Sequence, residues 1–160
     1  MSRKQNFYAR YAHMERASEL NIGDAVKHNT IIGIMGNTGA SNGAHLHFDI
    51  VNKLLKRLHR LSDIHKLITD YKALALQYSY FIDSTLFGVK PYITSYFSDP
   101  LYFINGVWKD HPAYDVVPEN ANETKDNWVI RWNRSLDGKV VDKGYDENGY
   151  GYYIIIHYTQ

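Results

Sequence analysis

The period at which apolar side chains recur divides the 160 residues into three zones. Between positions 7 and 51, β-rich runs at 7–11, 30–35 and 45–50 are separated by glycines at 23, 33, 36, 39 and 43, the punctuation of hairpins and tight loops. Strands are expected there. From 52 to 82 the period changes: Leu54, Leu58, Leu61, Ile64 or His65, Ile68, Tyr71 and Ala75 recur every three or four residues, with Lys53, Lys56, Arg57, Arg60, Lys66 and Lys72 between them. That spacing predicts an amphipathic helix, with Ser62-Asp63 placed to cap a second one. From 88 onward strand signals return at 92–97, 115–117, 128–132, 138–143 and 152–158, with turns at Asp137-Gly138 and Glu147-Asn148-Gly149. The polar run 119–127 reads as a long surface loop. The chain is therefore expected to be mainly β, with two β zones flanking one helical zone.

Composition narrows the classes of function. At 160 residues, 44% of them hydrophobic, the chain suits one compact domain. Lys plus Arg number 18 against 17 for Asp plus Glu, so no field exists to hold a nucleic acid or an acidic membrane surface. There is no cysteine, which excludes disulfides, thiolate zinc sites and cysteine nucleophiles and leaves His and carboxylate as the strong metal ligands. Arg3 and Lys4 are followed by Phe7-Tyr8-Ala9-Arg10 rather than by an apolar run, so no signal peptide is visible. Apolar runs such as 154–156 and 74–76 fall far short of the roughly 18 residues that span a bilayer, and no membrane insertion is expected. Asn122-Glu123-Thr124 and Asn133-Arg134-Ser135 match the glycosylation pattern, which carries little weight without an export signal.

Eight histidines hold whatever chemistry there is. His45 and His47 stand in the alternating run Gly43-Ala44-His45-Leu46-His47-Phe48-Asp49-Ile50. On a strand, residues two apart share a face, so both imidazoles point one way while Leu46 and Phe48 point into a core. A metal site uses that geometry, and so does an ordinary half-exposed strand. His111 and Asp115, four apart in His111-Pro112-Ala113-Tyr114-Asp115, also share a face of an extended chain; nitrogen and oxygen donors suit Zn²⁺ in the absence of thiols. The plain alternative is a loop His beside a turn Asp. Together the two pairs offer two His and one Asp as ligands, with one His left over and a fourth position open to water. His13 follows a strand and reads as a core, turn or functional His. His59 and His65, six apart on the helical zone, diverge by about 120° and cannot share a metal. His28 and His157 read as structural.

At these residues the chain resembles a known family. The first zone, with Tyr11-Ala12-His13-Met14, Ile22-Gly23-Asp24-Ala25-Val26-Lys27, Ile32-Gly33-Ile34-Met35-Gly36-Asn37-Thr38-Gly39 and the run ending in His45-Leu46-His47-Phe48-Asp49-Ile50, closely resembles the C-terminal half of M23 zinc endopeptidases, the lysostaphin and LytM-like peptidoglycan hydrolases. The last zone, with Ile93-Thr94-Ser95-Tyr96-Phe97, His111-Pro112-Ala113-Tyr114-Asp115-Val116-Val117, Asp137-Gly138-Lys139-Val140-Val141 and Gly149-Tyr150-Gly151-Tyr152-Tyr153-Ile154-Ile155-Ile156, is similar to the N-terminal half of the same family. The halves stand in reversed order. The resemblance thus implies a circular permutant: 6–51 as the family's C-terminal half, 52–88 as a helical connector, and 89–160 as its N-terminal half. The rival arrangement is a domain-swapped homodimer, in which each first zone completes its neighbour's last zone. A chain holding unmatched halves of two neighbouring domains is a third.

The resemblance implies that His111, Asp115 and His47 bind zinc, with His45 and His13 unligated beside it. A water activated by the metal attacks a peptide carbonyl, His45 takes the proton, and His13 stabilises the oxyanion or protonates the leaving amine. The implied substrate is a stem or cross-bridge peptide of bacterial peptidoglycan, and the implied location the cell wall, the extracellular space or a virion. Tyr96, Tyr102, Trp108 and Trp128 are candidate walls of the groove. The departures are Ala113 where the family usually has Gly, Tyr114 where it has an aliphatic residue, and a longer segment at 119–134. The competing class of function is an inactive M23-like structural or wall-binding module, such as a phage tail component; such relatives typically lose one of the five site residues, and here all five positions are filled.

Overall fold

The computed structural model describes residues 6–51, 77–95, 102–104, 107–109, 113–119 and 128–160. Eleven strands are found among them: β1 (Asn6–Met14), β2 (Ala25–Val26), β3 (Ile31–Ile34), β4 (Leu46–Val51), β5 (Pro91–Ser95), β6 (Tyr102–Ile104), β7 (Val107–Lys109), β8 (Ala113–Pro118), β9 (Val129–Arg131), β10 (Gly138–Asp146) and β11 (Gly151–Thr159). Seven form one sheet in the order β2-β10-β11-β1-β4-β8-β5, and two pairs, β3-β9 and β6-β7, stand apart. Every pairing in the large sheet is antiparallel. The fold is therefore mainly β with a large antiparallel sheet, as the alternation of side chains predicts.

The order interleaves the two ends of the chain. β1 and β4, from the first zone, are flanked by β11 on one side and β8 on the other, both from the last zone. β1 pairs with β11 from Asn6↔Thr159 to Met14↔Tyr152, the register of a hairpin's two arms. Each zone on its own would leave strand edges exposed, and antiparallel pairing between zones satisfies those backbone groups.

Alternation along the central strands assigns the two faces. Ala9 and Tyr11 of β1, Leu46, Phe48 and Ile50 of β4, Val116 of β8 and Ile154, Ile156 and Tyr158 of β11 belong to one buried apolar cluster. Tyr78, Phe81, Leu86 and Phe87, together with Ile32, Ile130 and Trp132, complete it. Aromatic edges lock the layers: Phe48 lies 5.1 Å from Tyr11, 4.8 Å from Phe81 and 5.7 Å from Tyr78, centroid to centroid. The Ile50 N–H donates to the Tyr78 hydroxyl at 2.8 Å, so the ring that covers the sheet is also tied to β4.

Several expectations fare differently. Of the predicted helical zone, 52–76 lies outside the described residues, 77–79 is helical, 80–81 is turn and 82 is a bend. His59 and His65 fall in the undescribed part, as does 120–127 of the expected surface loop. His13 lies within β1 rather than after it. β2, β6 and β7, of two or three residues each, are too short to register as a period and were not anticipated. Among the described residues no helix is long and apolar enough to cross a membrane.

Phe48 is fully buried at the centre of this aromatic packing. Phe48→Ala is expected to lower the unfolding free energy by about 3–5 kcal/mol, the cost of an unfilled core aromatic site, as read by urea denaturation. A loss below about 1 kcal/mol would show that Phe48 is not the centre of the core.

Candidate active site

The face of the sheet opposite the core carries the polar residues of the same strands. Strand register brings them together in pairs: Arg10 of β1 stands across from Asp49 of β4, Ala12 across from His47, and His47 across from Asp115 of β8. Directly opposed residues have Cβ atoms about 4.5–5.5 Å apart, so these pairs meet without help from loops. A cleft of about 710 Å³ opens over them, lined by His13, His45, His47, Asp115, Tyr150 and the loop at 40–44.

His47 is buried, and its ring lies between two carboxylates. Nδ1 is 3.2 Å from Asp115 Oδ1, and Nε2 is 3.5 Å from Asp49 Oδ1. His45 enters from the end of the 36–44 loop, where its backbone N–H donates to the Gly36 carbonyl at 3.1 Å. Its Nδ1 stands 2.8 Å from the Gly43 carbonyl oxygen, an acceptor, so Nδ1 carries the proton and Nε2 keeps its lone pair. That Nε2 is 3.7 Å from Asp115 Oδ1.

His13 reaches the same cleft by a distortion of β1. Between Tyr11 and Met14 the pairing with β11 slips, two residue steps on β11 facing three on β1, and His13 takes φ +60°. A bulge re-aims a side chain, and the left-handed conformation costs a non-glycine residue about 1–2 kcal/mol. Two hydrogen bonds hold it: the His13 N–H donates to Tyr150 O at 2.7 Å, and Nδ1 donates to Thr38 O at 2.7 Å. The ring centroid then lies 4.8 Å from that of His45 and 5.8 Å from that of His47. Burial pushes the His13 pKa below its ordinary value; the Thr38 carbonyl opposes this and the neighbouring imidazoles reinforce it.

Thr38 ties this corner to the sheet. Its hydroxyl donates to Met14 O at 2.5 Å and accepts the Tyr152 N–H at 3.1 Å. Gly39, at φ +74°, lies so close to Gly149 and Gly151 that a Cβ there would overlap their backbone. Only glycine allows that approach.

Beneath His47, Arg10 and Asp49 form a buried bidentate pair, Nε to Oδ1 at 2.9 Å and Nη2 to Oδ2 at 2.6 Å. Burial alone would raise the Asp49 pKa, but the hydrogen bonds and charges of His47 and Arg10 outweigh it and hold the carboxyl well below the usual range. Arg10 Nη2 also reaches the Tyr150 hydroxyl at 3.0 Å, and the Tyr150 ring lies 5.6 Å from that of His47.

The structure thus brings together four of the five predicted site residues, His13, His45, His47 and Asp115; His111 lies outside the described residues. Among the described residues no group of three or more His, Cys, Asp or Glu is arranged to hold a metal. His47 and Asp115 supply one imidazole nitrogen and one carboxylate oxygen side by side, and that donor chemistry fits zinc. Of the four aromatics expected as groove walls, Trp128 packs against the core instead. The side chains of Tyr96, Tyr102 and Trp108 lie outside the described residues. Tyr150, which does line the cleft, and the Arg10–Asp49 pair were missed by sequence reasoning; an acid and a base at alternating positions of two apolar strands were the available signal. His28, with Nδ1 3.3 Å from Arg134 O, and His157, with Nε2 2.9 Å from Asn6 Oδ1, lie elsewhere.

The fold is mainly antiparallel β, and three imidazoles and a carboxylate are gathered in one cleft. Residues 1–57 match the model of peptidase family M23, so that segment is similar to the family. No curated protein and no solved structure was found to match the chain.

Gly39→Ala is expected to force the 36–44 loop away from the β10–β11 turn and to lower stability by about 1–3 kcal/mol through strain at positive φ and backbone overlap. Thermal unfolding checks it, and an unchanged transition would mean that the loop is not held by this contact.

Proposed function

We propose that the chain is a zinc-dependent endopeptidase that hydrolyses peptide bonds in bacterial peptidoglycan. The observation that carries this reading is the register of β4 with β8, which sets His47 against Asp115 in the cleft that His13 and His45 also line. The family match over residues 1–57 supports the peptidase class, and the donor chemistry supports the metal.

In this reading His47 and Asp115 hold zinc together with His111. The metal, when bound, supplies a Lewis acid that polarises the scissile carbonyl and acidifies the attacking water. The chain's own groups do the rest. His45 Nε2, its lone pair kept free by the Nδ1–H donated to Gly43, takes the proton from the water. His13, fixed through Nδ1 at Thr38, turns Nε2 to the same cleft; in its imidazolium form it donates from Nε2 to the developing oxyanion or passes that proton to the leaving amine, and the proton that His45 has taken from the water restores the balance. The walls at Ala40, Gly43 and Ala44 leave little side-chain bulk on one side, which suits a cross-bridge or stem peptide of small residues. Such a substrate puts the protein's work at the cell wall, whether secreted or carried on a virion.

The domain is read as a permuted one: 6–51 and 89–160 are its two halves and 52–88 the connector. The antiparallel pairing of Asn6 with Thr159 supports this, since a short turn between those strands would restore the family's order.

Three outcomes are expected. Zinc loads at about one ion per chain, and a chelator abolishes cleavage of purified peptidoglycan. His45→Ala loses about 10²–10⁴-fold of the cleavage rate while zinc content is retained; an undiminished rate would remove His45 from the chemistry. Wild-type protein that binds cell walls without cutting them would favour an inactive module. In sedimentation at low concentration the protein runs as a monomer, and a concentration-resistant dimer would favour the swapped arrangement.

A further inference from the structure

The loop that leads into His45 is held unevenly. On its first side the backbone is tied down: the Ala40 N–H donates to Gly149 O at 2.8 Å, in the β10–β11 turn, and the Ser41 N–H donates to Gly39 O at 3.0 Å. The next backbone bond comes at the His45 N–H, on Gly36 O. Between them, no acceptor is found among the described residues for the N–H groups of Asn42, Gly43 and Ala44. All three residues are exposed, and a Cβ placed on Gly43 would meet nothing within 4 Å. The Ser41 side chain is what crosses this gap.

Its hydroxyl oxygen lies within reach of three groups: Asn37 Oδ1 at 2.5 Å, Gly43 O at 3.0 Å and His45 Nδ1 at 3.2 Å. A hydroxyl has one proton to give and two lone pairs. The two oxygens can only accept, so the proton goes to one of them, and Asn37 Oδ1 is the nearer. His45 Nδ1, which already faces the Gly43 carbonyl at 2.8 Å, then carries a proton that Gly43 O and Ser41 Oγ both accept. The opposite assignment, with Ser41 donating to a bare Nδ1, sets that lone pair against the Gly43 carbonyl oxygen. It also leaves Asn37 Oδ1 facing Oγ with no proton between them.

We infer that Ser41, braced on Asn37, is the positioning residue for His45: it accepts the Nδ1–H beside the Gly43 carbonyl and so fixes the ring with its Nε2 lone pair turned to the cleft. That nitrogen lies on the Asp115 side, 3.7 Å from Oδ1. The inference rests on the proposed role of His45 as the base. A base works only when its lone pair is aimed, and a ring held by Gly43 alone would depend on the least supported stretch of the loop. A serine that merely braced the loop would change stability and substrate binding and leave the step at His45 alone.

The test measures cleavage of purified peptidoglycan by wild type, Ser41→Ala and Ser41→Thr. Losing one neutral hydrogen bond to the base is expected to lower kcat about 3–10-fold in Ser41→Ala, with KM within about 2-fold of wild type. Ser41→Thr keeps the hydroxyl and is expected to restore most of the rate. An unchanged kcat in Ser41→Ala, or a loss that threonine does not restore, would overturn the inference. If wild-type protein cuts no peptidoglycan, the proposed function fails separately, and the ring itself decides the positioning role. Long-range ¹H–¹⁵N spectra of the neutral His45 ring are expected to show the proton on Nδ1 in wild type, with the ratio of Nδ1–H to Nε2–H about 3–10-fold lower in Ser41→Ala. A wild-type proton on Nε2, or the same ratio in both proteins, would overturn it.

Discussion

The site depends on the register of β4 between its two neighbours. His47 and Asp49 each meet their partner across a strand boundary, Asp115 on one side and Arg10 on the other. A slip of one residue in either pairing would turn the polar face into the core and the core into solvent. The apolar alternation Leu46, Phe48, Ile50 therefore does two things at once. It buries one face against Tyr78 and Phe81, and it obliges the other face to present His47 and Asp49. Core packing and site geometry are consequences of the same period-two pattern, which is why a core substitution at Phe48 bears on both.

Around this fixed centre, the remaining groups are supplied by less regular backbone. His13 sits in a bulge at positive φ, and His45 comes at the end of a loop docked through Thr38 and Gly39 against the β10–β11 turn. The turn contributes Tyr150, which touches both the His13 backbone and the Arg10 side chain. Two classes of support are thus combined. Strand register places the carboxylates and His47, and backbone hydrogen bonds to carbonyl oxygens set the proton positions of His13 and His45. Rigid placement of this kind is what preorganised proton transfer requires.

Much of this was legible in the sequence, and the parts that were not share a physical cause. Alternation at 45–50 gave the strand, its inward residues and the common face of His45 and His47. The likeness of the two β zones to the two halves of one family, in reversed order, was the ground for expecting a permuted or swapped domain; in the structure β1 and β4 lie between β11 and β8. Hidden from a one-dimensional reading were the features set by tertiary contact. No local signal announces that His13 lies in a bulge. Nor does any short-range pattern pair Arg10 with Asp49, 39 residues away, or bring Tyr150 over both. Trp128 was read as a groove wall because aromatic residues serve either purpose, and burial against the core decides between them.

The most direct test of the central claim is anomalous diffraction at the zinc absorption edge from crystals of the zinc-loaded protein. The account predicts one peak in the cleft, within about 2.0–2.2 Å of both a His47 ring nitrogen and a carboxylate oxygen of Asp115. A peak bound elsewhere on the molecule would contradict it.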